Sequence, residues 1–234
     1  MGKDCRRTMG LDGSGRKKGD RKAFDLVWYW LGRVDDAIAR IVSLEGLVEP
    51  IDCRPGCHYC CYNQPMVTPP EALLIGQSVE KTFKDRQRAE LFERIGSVLE
   101  LTRDVGQDEI VMMRHELPCI FLTNGMCSVY EVRPAICRAC SSTSAQHCAA
   151  VFESRDVRAR LRCYAQIRKA LQTAHAGLIE DCKGMGCQSD FLLIAEAMHD
   201  YFRHPRPVEA WLDGEKVFHS RQGEGGDDAT SENR

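Results

Sequence analysis

The sequence predicts a mainly α-helical fold: one helical domain with a single small β-hairpin beside a cysteine-rich segment. Three observations carry that prediction. Apolar residues recur at spacings of three and four along most of the chain, as they do on one face of a helix. One Asn-Gly dipeptide, Asn124-Gly125, stands between two short apolar runs. Nine of the 13 cysteines fall between Cys53 and Cys148.

Taken in order, residues 1–22 carry eight basic and three acidic side chains, five glycines and few apolar residues. Such a stretch buries too little to offset its ordering entropy, so a basic tail is expected there. Phe24, Val27, Leu31, Val34, Ile38 and Ile41 form the stripe of a first helix. Thr68-Pro69-Pro70-Glu71 is a capping box with proline at the first helical position, ahead of an apolar run. Leu91, Ile95, Val98, Leu99 and Thr102 place a charged helix from about Asp85. Val157, Leu161, Tyr164 and Leu171 mark another, with Cys163 inside it. A last helix has Ser189 as N-cap, Phe191, Ile194, Ala195, Met198 and Phe202 inward, and ends at His204-Pro205-Arg206-Pro207. Asn124-Gly125 fits a type I′ hairpin turn, which needs positive φ at both central residues. Residues 219–234 are polar and Gly-rich, a second tail. The domain is therefore residues 23–218, with residues 53–148 as its cysteine core.

Composition narrows the function. Lys plus Arg is 32 and Asp plus Glu 34, a formal net charge of −2 that makes no general case for nucleic-acid binding. No run of about 18 apolar residues exists, so no membrane-spanning helix is expected. The N-terminal stretch lacks the apolar centre of a secretory signal. A cytoplasmic, reducing location follows, where clustered thiols bind metal or do redox work instead of forming disulfides.

Cys53, Cys57, Cys60 and Cys61 place four thiols in nine residues. With Pro55 at the first position of a helix, Cys53 comes from the incoming loop and Cys57, Cys60 and Cys61 share one face of the first two turns. Exposed amides at such a terminus would lower their pKa values. Adjacent helical residues diverge by roughly 100°, so Cys60 and Cys61 do not easily clamp one ion. They serve different metals or irons, or one is a free or redox-active thiol. The second group is Cys119, Cys127, Cys137, Cys140 and Cys148. Cys137 and Cys140 follow Arg133-Pro134 at a spacing of three and point one way. In the hairpin register Cys119 would oppose Tyr130 on the face away from Cys127, so the two meet only if the strand begins after Cys119. Cys5 and Cys163 read as bystanders. Cys182 and Cys187 in a Gly-rich turn are small buried hydrophobes or a satellite site.

The ordered set Cys53-x3-Cys57-x2-Cys60-Cys61, Pro118-Cys119-x2-Leu122, Gly125-x-Cys127-Ser128-Val129-Tyr130-x2-Arg133-Pro134-x2-Cys137-Arg138 resembles the cysteine-cluster family of zinc- or iron-chelating domains, called CxxCxxCC or YkgJ-type. Ala210-Trp211-Leu212 through Phe218 is similar to the end of its longer bacterial members. The resemblance implies that Cys53, Cys57, Cys60, Cys61, Cys119, Cys127 and Cys137 hold a metal or iron–sulfur site, with Cys140 and Cys148 as subtype additions. A flagellin lysine methylase is similar in the same cysteine pattern and implies a four-iron four-sulfur cluster and methyl transfer.

A single zinc takes four ligands, and seven to nine thiols exceed that. An iron–sulfur cluster, with 4Fe–4S favoured, is therefore expected ahead of zinc, and two sites sharing the set remain open. The run is not the ferredoxin pattern. Other chemistry is thin. Gly10-x4-Gly15 lacks the lysine and strand of a phosphate-binding loop, and His115-Glu116 lacks a second histidine at the required place. His58 and His147 adjoin cysteines, as ligands or as polar neighbours. Arg155, Arg158, Arg160, Arg162, Arg168 and Lys169 make one solvated basic face or a site for an anionic partner. Three functions compete: a metal-binding protein with an unassigned protein or small-molecule partner, a methyltransferase-like enzyme, and a zinc-stabilised interaction module.

Overall fold

The computed structural model describes residues 18–220 apart from Glu45, Leu47, Pro55, Arg155, Val157 and Arg158. The stretches 1–17 and 221–234, which hold most of both expected tails and Cys5, lie outside the described residues.

Helix α1 (Lys18–Val42) begins inside the segment read as a basic tail and buries the expected stripe of Phe24, Val27, Leu31, Val34 and Ile41. Its main partner is α7 (Ala165–Gly184). The Trp30 indole lies across that contact and donates through Nε1 to Asp181 Oδ2 at 2.7 Å. Gly177 makes room for it: a methyl there would stand 2.1 Å from the Trp30 ring.

Helix α2 (Pro69–Thr82) starts at the expected capping box. Glu71 Oε2 accepts from the Thr68 amide and hydroxyl, each at 2.8 Å. Helix α3 (Asp85–Thr102) buries Leu91, Ile95, Val98 and Thr102. Both pack on α8 (Ile194–Arg203), where the Tyr201 ring lies over Gly76 and Phe92 meets Phe202 edge to face at 5.1 Å. Short helices α4 (Gln107–Met112), α5 (Ala135–Ala139), α6 (Ala145–Glu153) and α9 (Pro207–Leu212) complete the described helices. Trp211 of α9 is fully buried and donates through Nε1 to the Gln188 carbonyl at 2.9 Å. The buried apolar side chains form one continuous core.

The hairpin is present. Strands β2 (Leu122–Thr123) and β3 (Met126–Cys127) pair with Leu122 opposite Cys127, and Asn124 and Gly125 have φ of 51° and 74°. A second antiparallel pair, β1 (Met66–Val67) with β4 (Leu192–Leu193), had no sequence signal. Two-residue strands far apart in the chain show no period of two. This pairing also displaces the expected cap: Leu193, not Ser189, precedes the last long helix, because residues 192–193 are spent on the ladder.

Of the helix expected over Val157, Leu161, Tyr164 and Leu171, Val157 lies outside the described residues, Leu161 and Tyr164 precede the helix, and α7 begins at Ala165. Residues 159–164 form a loop in which Cys163 makes an isolated bridge to Ser142. Apolar spacing alone had placed it in a helix; long-range pairing decided otherwise.

Candidate metal centre

The first cysteine run does not form the expected α-helix. Gly56 takes φ of +89°, and only one 3-10 turn follows, Tyr59–Tyr62. Residues i and i+3 eclipse in such a turn, so Tyr59 and Tyr62 both pack against Phe152 of α6, with ring centres 5.9 and 4.8 Å away. Cys60 and Cys61, on the same turn, diverge by roughly 120°. Tyr packing on α6 thus sets the thiol turn, and no long helix dipole acts on it.

From this turn the chain is tied to the second cysteine group. The Cys119 amide donates to the Cys61 carbonyl at 2.7 Å, and Leu122 donates back to the Cys119 carbonyl at 2.8 Å. Cys119 therefore stands ahead of β2 in its own turn, which meets the condition for joining Cys127. Helix α5 carries Cys137, with Cys140 at its C-terminal cap. Arg138, almost wholly buried, fastens that helix. Its guanidinium meets Asp35 Oδ2 at 2.5 Å and donates to the carbonyls of Glu131 at 2.7 Å and Arg133 at 3.0 Å. This fork of three directions is one that arginine fills and lysine does not.

Cys53 is the exposed member of the set. Its sulfur accepts the Ser142 amide at 3.1 Å and faces the Cys140 carbonyl at 3.5 Å. Asp52 donates its amide to the Ser142 carbonyl at 2.9 Å, and its Oδ2 accepts the Ala145 amide at the start of α6 at 2.8 Å. Cys148 lies buried on that helix.

Eight of the nine sequence-predicted cysteines, all but Cys148, line one cleft of about 1130 Å³. Ile38, Ile51, Met66, Phe121, Ile136 and Ile194 supply apolar wall. All described cysteines are free thiols. Cys148 sits behind the cleft, close enough for its charge to act on Cys53 and Cys57. Cys163, read as a bystander, belongs to the same neighbourhood: its thiol feels Cys148 and Cys60, and Cys140 feels Cys163. No local motif could have found it, since only the bridge to Ser142 brings it there. Cys182 and Cys187 are buried in the apolar core and do not line the cleft; the Cys187 amide donates to the Cys182 carbonyl at 2.9 Å. Nδ1 of His58 and Nε2 of His147 each meet a backbone carbonyl, of Gly56 at 3.0 Å and Arg160 at 3.1 Å.

Electrostatically the thiols form a crowd. Burial pushes Cys119 up to about 12 and Cys137 well above the ordinary thiol value, and neighbouring cysteines add to both. Cys53 rises to about 11 by burial, partly offset by the Ser142 amide. Cys60 is the exception. Hydrogen bonds from the Cys140 and Cys61 thiols, with the Arg133 guanidinium nearby, hold it well below the usual range. Donating to it correspondingly raises Cys140 and Cys61. So many buried sulfurs cannot ionise together without a cation among them, and metal ligation requires thiolates. The donor set thus fits a thiophilic metal. Among the described residues no three His, Cys, Asp or Glu side chains are drawn in as the ligands of a held ion are. The thiols are gathered around the cleft without closing on a point.

Among the described residues no helix is long and apolar enough to cross a membrane. No curated protein and no solved structure matches the chain. Residues 52–164 match the family model CxxCxxCC, described as "Putative zinc- or iron-chelating domain". The segment that carries every thiol of the cleft, and Cys148 and Cys163 behind it, is thus a domain of the CxxCxxCC family.

Proposed function

We propose that the protein holds an iron–sulfur centre, 4Fe–4S in the first instance, through the cysteines of the cleft. The observation that supports this is the gathering of eight thiols from the first run, the hairpin and α5 on one cleft, twice the four that a single structural zinc takes. Cys53, Cys57, Cys60, Cys61, Cys119, Cys127, Cys137 and Cys140 are the residues that would hold it, with Cys148 in reserve behind them. Such a centre supplies electron transfer, or a structural crosslink. The chain's own contribution is the rest. Arg133, which lies 3.7 Å over the Tyr130 ring, brings positive charge toward the thiolates. The apolar wall lowers the local dielectric, and Arg138 and Glu71 hold α5 in place.

The test is anaerobic purification with elemental analysis. Iron with acid-labile sulfide and visible absorbance supports the reading. Zinc with no colour replaces it by the zinc-stabilised interaction module.

A second reading, a methyltransferase-like enzyme whose metal adjoins an organic substrate, is favoured by one observation. The cleft is large, and His175 on its wall has a buried Nε2 with no hydrogen-bond partner among the described residues. Burial lowers the pKa of this imidazole, which keeps it neutral. Calorimetry of metal-loaded protein with S-adenosylmethionine tests it, and no heat of binding removes it.

A further inference from the structure

From residue 157 to 179 the chain carries no Asp or Glu and five Lys or Arg, in a protein whose acids outnumber its bases by 34 to 32. Arg158 lies outside the described residues. The other four, Arg160, Arg162, Arg168 and Lys169, are exposed, and no ion pair among the described residues holds any of them. Backbone ties fix where they stand. The Arg160 carbonyl meets His147 Nε2 at 3.1 Å, the Arg162 carbonyl accepts the Thr143 amide at 2.9 Å, and Cys163 bridges Ser142. Neighbours on such a bridged stretch point to opposite sides, so the exposed Arg162 side chain faces away from the half-buried Cys163 thiol. Helix α7 follows at once, with Arg168 and Lys169 at its start. That is the positive end of the helix dipole, where acids stabilise and cations do not, yet its first turn holds no acid. Helix stability therefore does not explain this charge. Gln166, Gln172 and Thr173 extend the exposed face of α7 without a carboxylate. The patch borders the thiol set, because the Ser142 that bridges Cys163 also donates its amide to the sulfur of the exposed Cys53. Glu49, whose carbonyl accepts the Tyr164 hydroxyl, and Asp52, ion-paired with Arg54, stand at that edge.

We propose that residues 159–164 and the first turns of α7 form a docking surface for an acidic segment of a protein partner, whose carboxylates meet Arg160, Arg162, Arg168 and Lys169. Three of the four are arginines, whose planar fork takes a carboxylate by two parallel hydrogen bonds. The surface suits a protein more than a nucleic acid. A duplex would meet a small footprint of cations on a chain of net charge −2. Single strands are held by stacking on exposed aromatic faces. The exposed aromatics among the described residues, Tyr29, Phe92 and Tyr130, stand on other elements, and the Tyr164 hydroxyl is tied to Glu49. Because the backbone ties present the cations already placed, docking has little left to order. The docking goes beyond the metal-binding reading and does not depend on it. One consequence rests on that reading: a partner seated here lies beside Cys53, where the thiol set opens to solvent.

A fluorescein-labelled peptide of alternating Glu and Ser is titrated with full-length protein, prepared anaerobically, and followed by anisotropy. It should bind at low salt, weaken steeply as salt rises, and slow hydrogen exchange of the amides from Leu161 to Lys169. Arg160→Glu/Arg162→Glu and Arg168→Glu/Lys169→Glu should each weaken binding by about tenfold or more, with metal content unchanged. Arg103→Glu/Lys216→Glu makes the same change of charge at exposed sites elsewhere and should weaken binding by less than about twofold. Should a double variant misfold by circular dichroism, Lys169→Glu alone is read, and it should weaken binding by about threefold. No binding at low salt, or equal losses in the patch and control variants, overturns the docking surface while the metal-binding reading stands. A labelled single-stranded RNA or DNA duplex that binds more tightly than the peptide, and is lost in the patch variants, assigns the surface to nucleic acid and overturns the proposal.

Discussion

Glu71 Oε1 accepts the backbone amide of Ala135 at 2.8 Å, across 64 residues of sequence. The same carboxyl group accepts the amide and hydroxyl of Thr68 through Oε2, and it is almost wholly buried. One side chain therefore caps α2 and also positions the first turn of α5, two residues ahead of Cys137. Glu71→Ala should leave two buried amides without acceptors, at a cost of about 1–3 kcal/mol each. Thermal melting should fall and bound metal should fall with it, whereas Glu71→Gln keeps one acceptor oxygen and sets its NH2 against the other amide donor, so it should lose less than Glu71→Ala but more than nothing. Equal metal content in Glu71→Ala and wild type would show that α5 needs no such anchor.

The contact between α1 and α7 admits no side chain at Gly177. A methyl there meets the Trp30 ring, and the ring is tethered to Asp181 and cannot move freely. Gly177→Ala should destabilise by about 1–3 kcal/mol despite its better helix propensity. Chemical denaturation midpoints measure this, and an unchanged or raised midpoint would contradict the packing described. Trp30→Phe/Gly177→Ala should recover part of the loss.

Metal removal should loosen the domain as a whole. Cys137 joins the first cysteine run only through a long loop, and a metal that closes it removes chain entropy from the unfolded state. Cys57→Ser, Cys60→Ser and Cys137→Ser should each lower metal content and melting temperature together. Cys182→Ser, in the apolar core, should lower only the second. Chelation of the wild type should reproduce the drop in melting temperature, followed by calorimetry. Metal occupancy untouched by Cys137→Ser would show the first run to be self-sufficient.

The metal-free, reduced protein should lose stability as pH rises past about 9. Burial raises Cys119 and Cys182 to about 12 from an ordinary value of 9.0. Over that interval the unfolded chain releases thiol protons that the folded chain retains, so the native state binds more protons and stability falls with pH. The contribution is fully present below pH 9 and is lost toward 12. Urea midpoints at pH 8, 9 and 10 under argon measure it. Metal-loaded protein should show the opposite dependence at its acid end, since protons compete with metal for thiolate as pH falls. A midpoint that climbs between pH 9 and 10 in the metal-free protein would refute the assignment.

By itself the sequence determined whatever is written in short-range spacing. The stripe from Phe24 to Ile41, the capping box at Thr68 and Glu71, the helix from Asp85 and the Asn124-Gly125 turn each lie within a few residues, and each stands in the structure as read. Cysteine spacing likewise named eight residues that meet at one cleft. Tertiary contacts decided the rest. The thiol run became a 3-10 turn because Tyr59 and Tyr62 pack on Phe152, 90 and more residues further on. Leu192 and Leu193 became a strand because Met66 and Val67 lie beside them, and that took the helix start from Ser189. Cys163 left an apparent helix to bridge Ser142. Local periodicity reports which face of an element is apolar; the partner that a given backbone amide finds across the fold has no counterpart in the spacing of its neighbours.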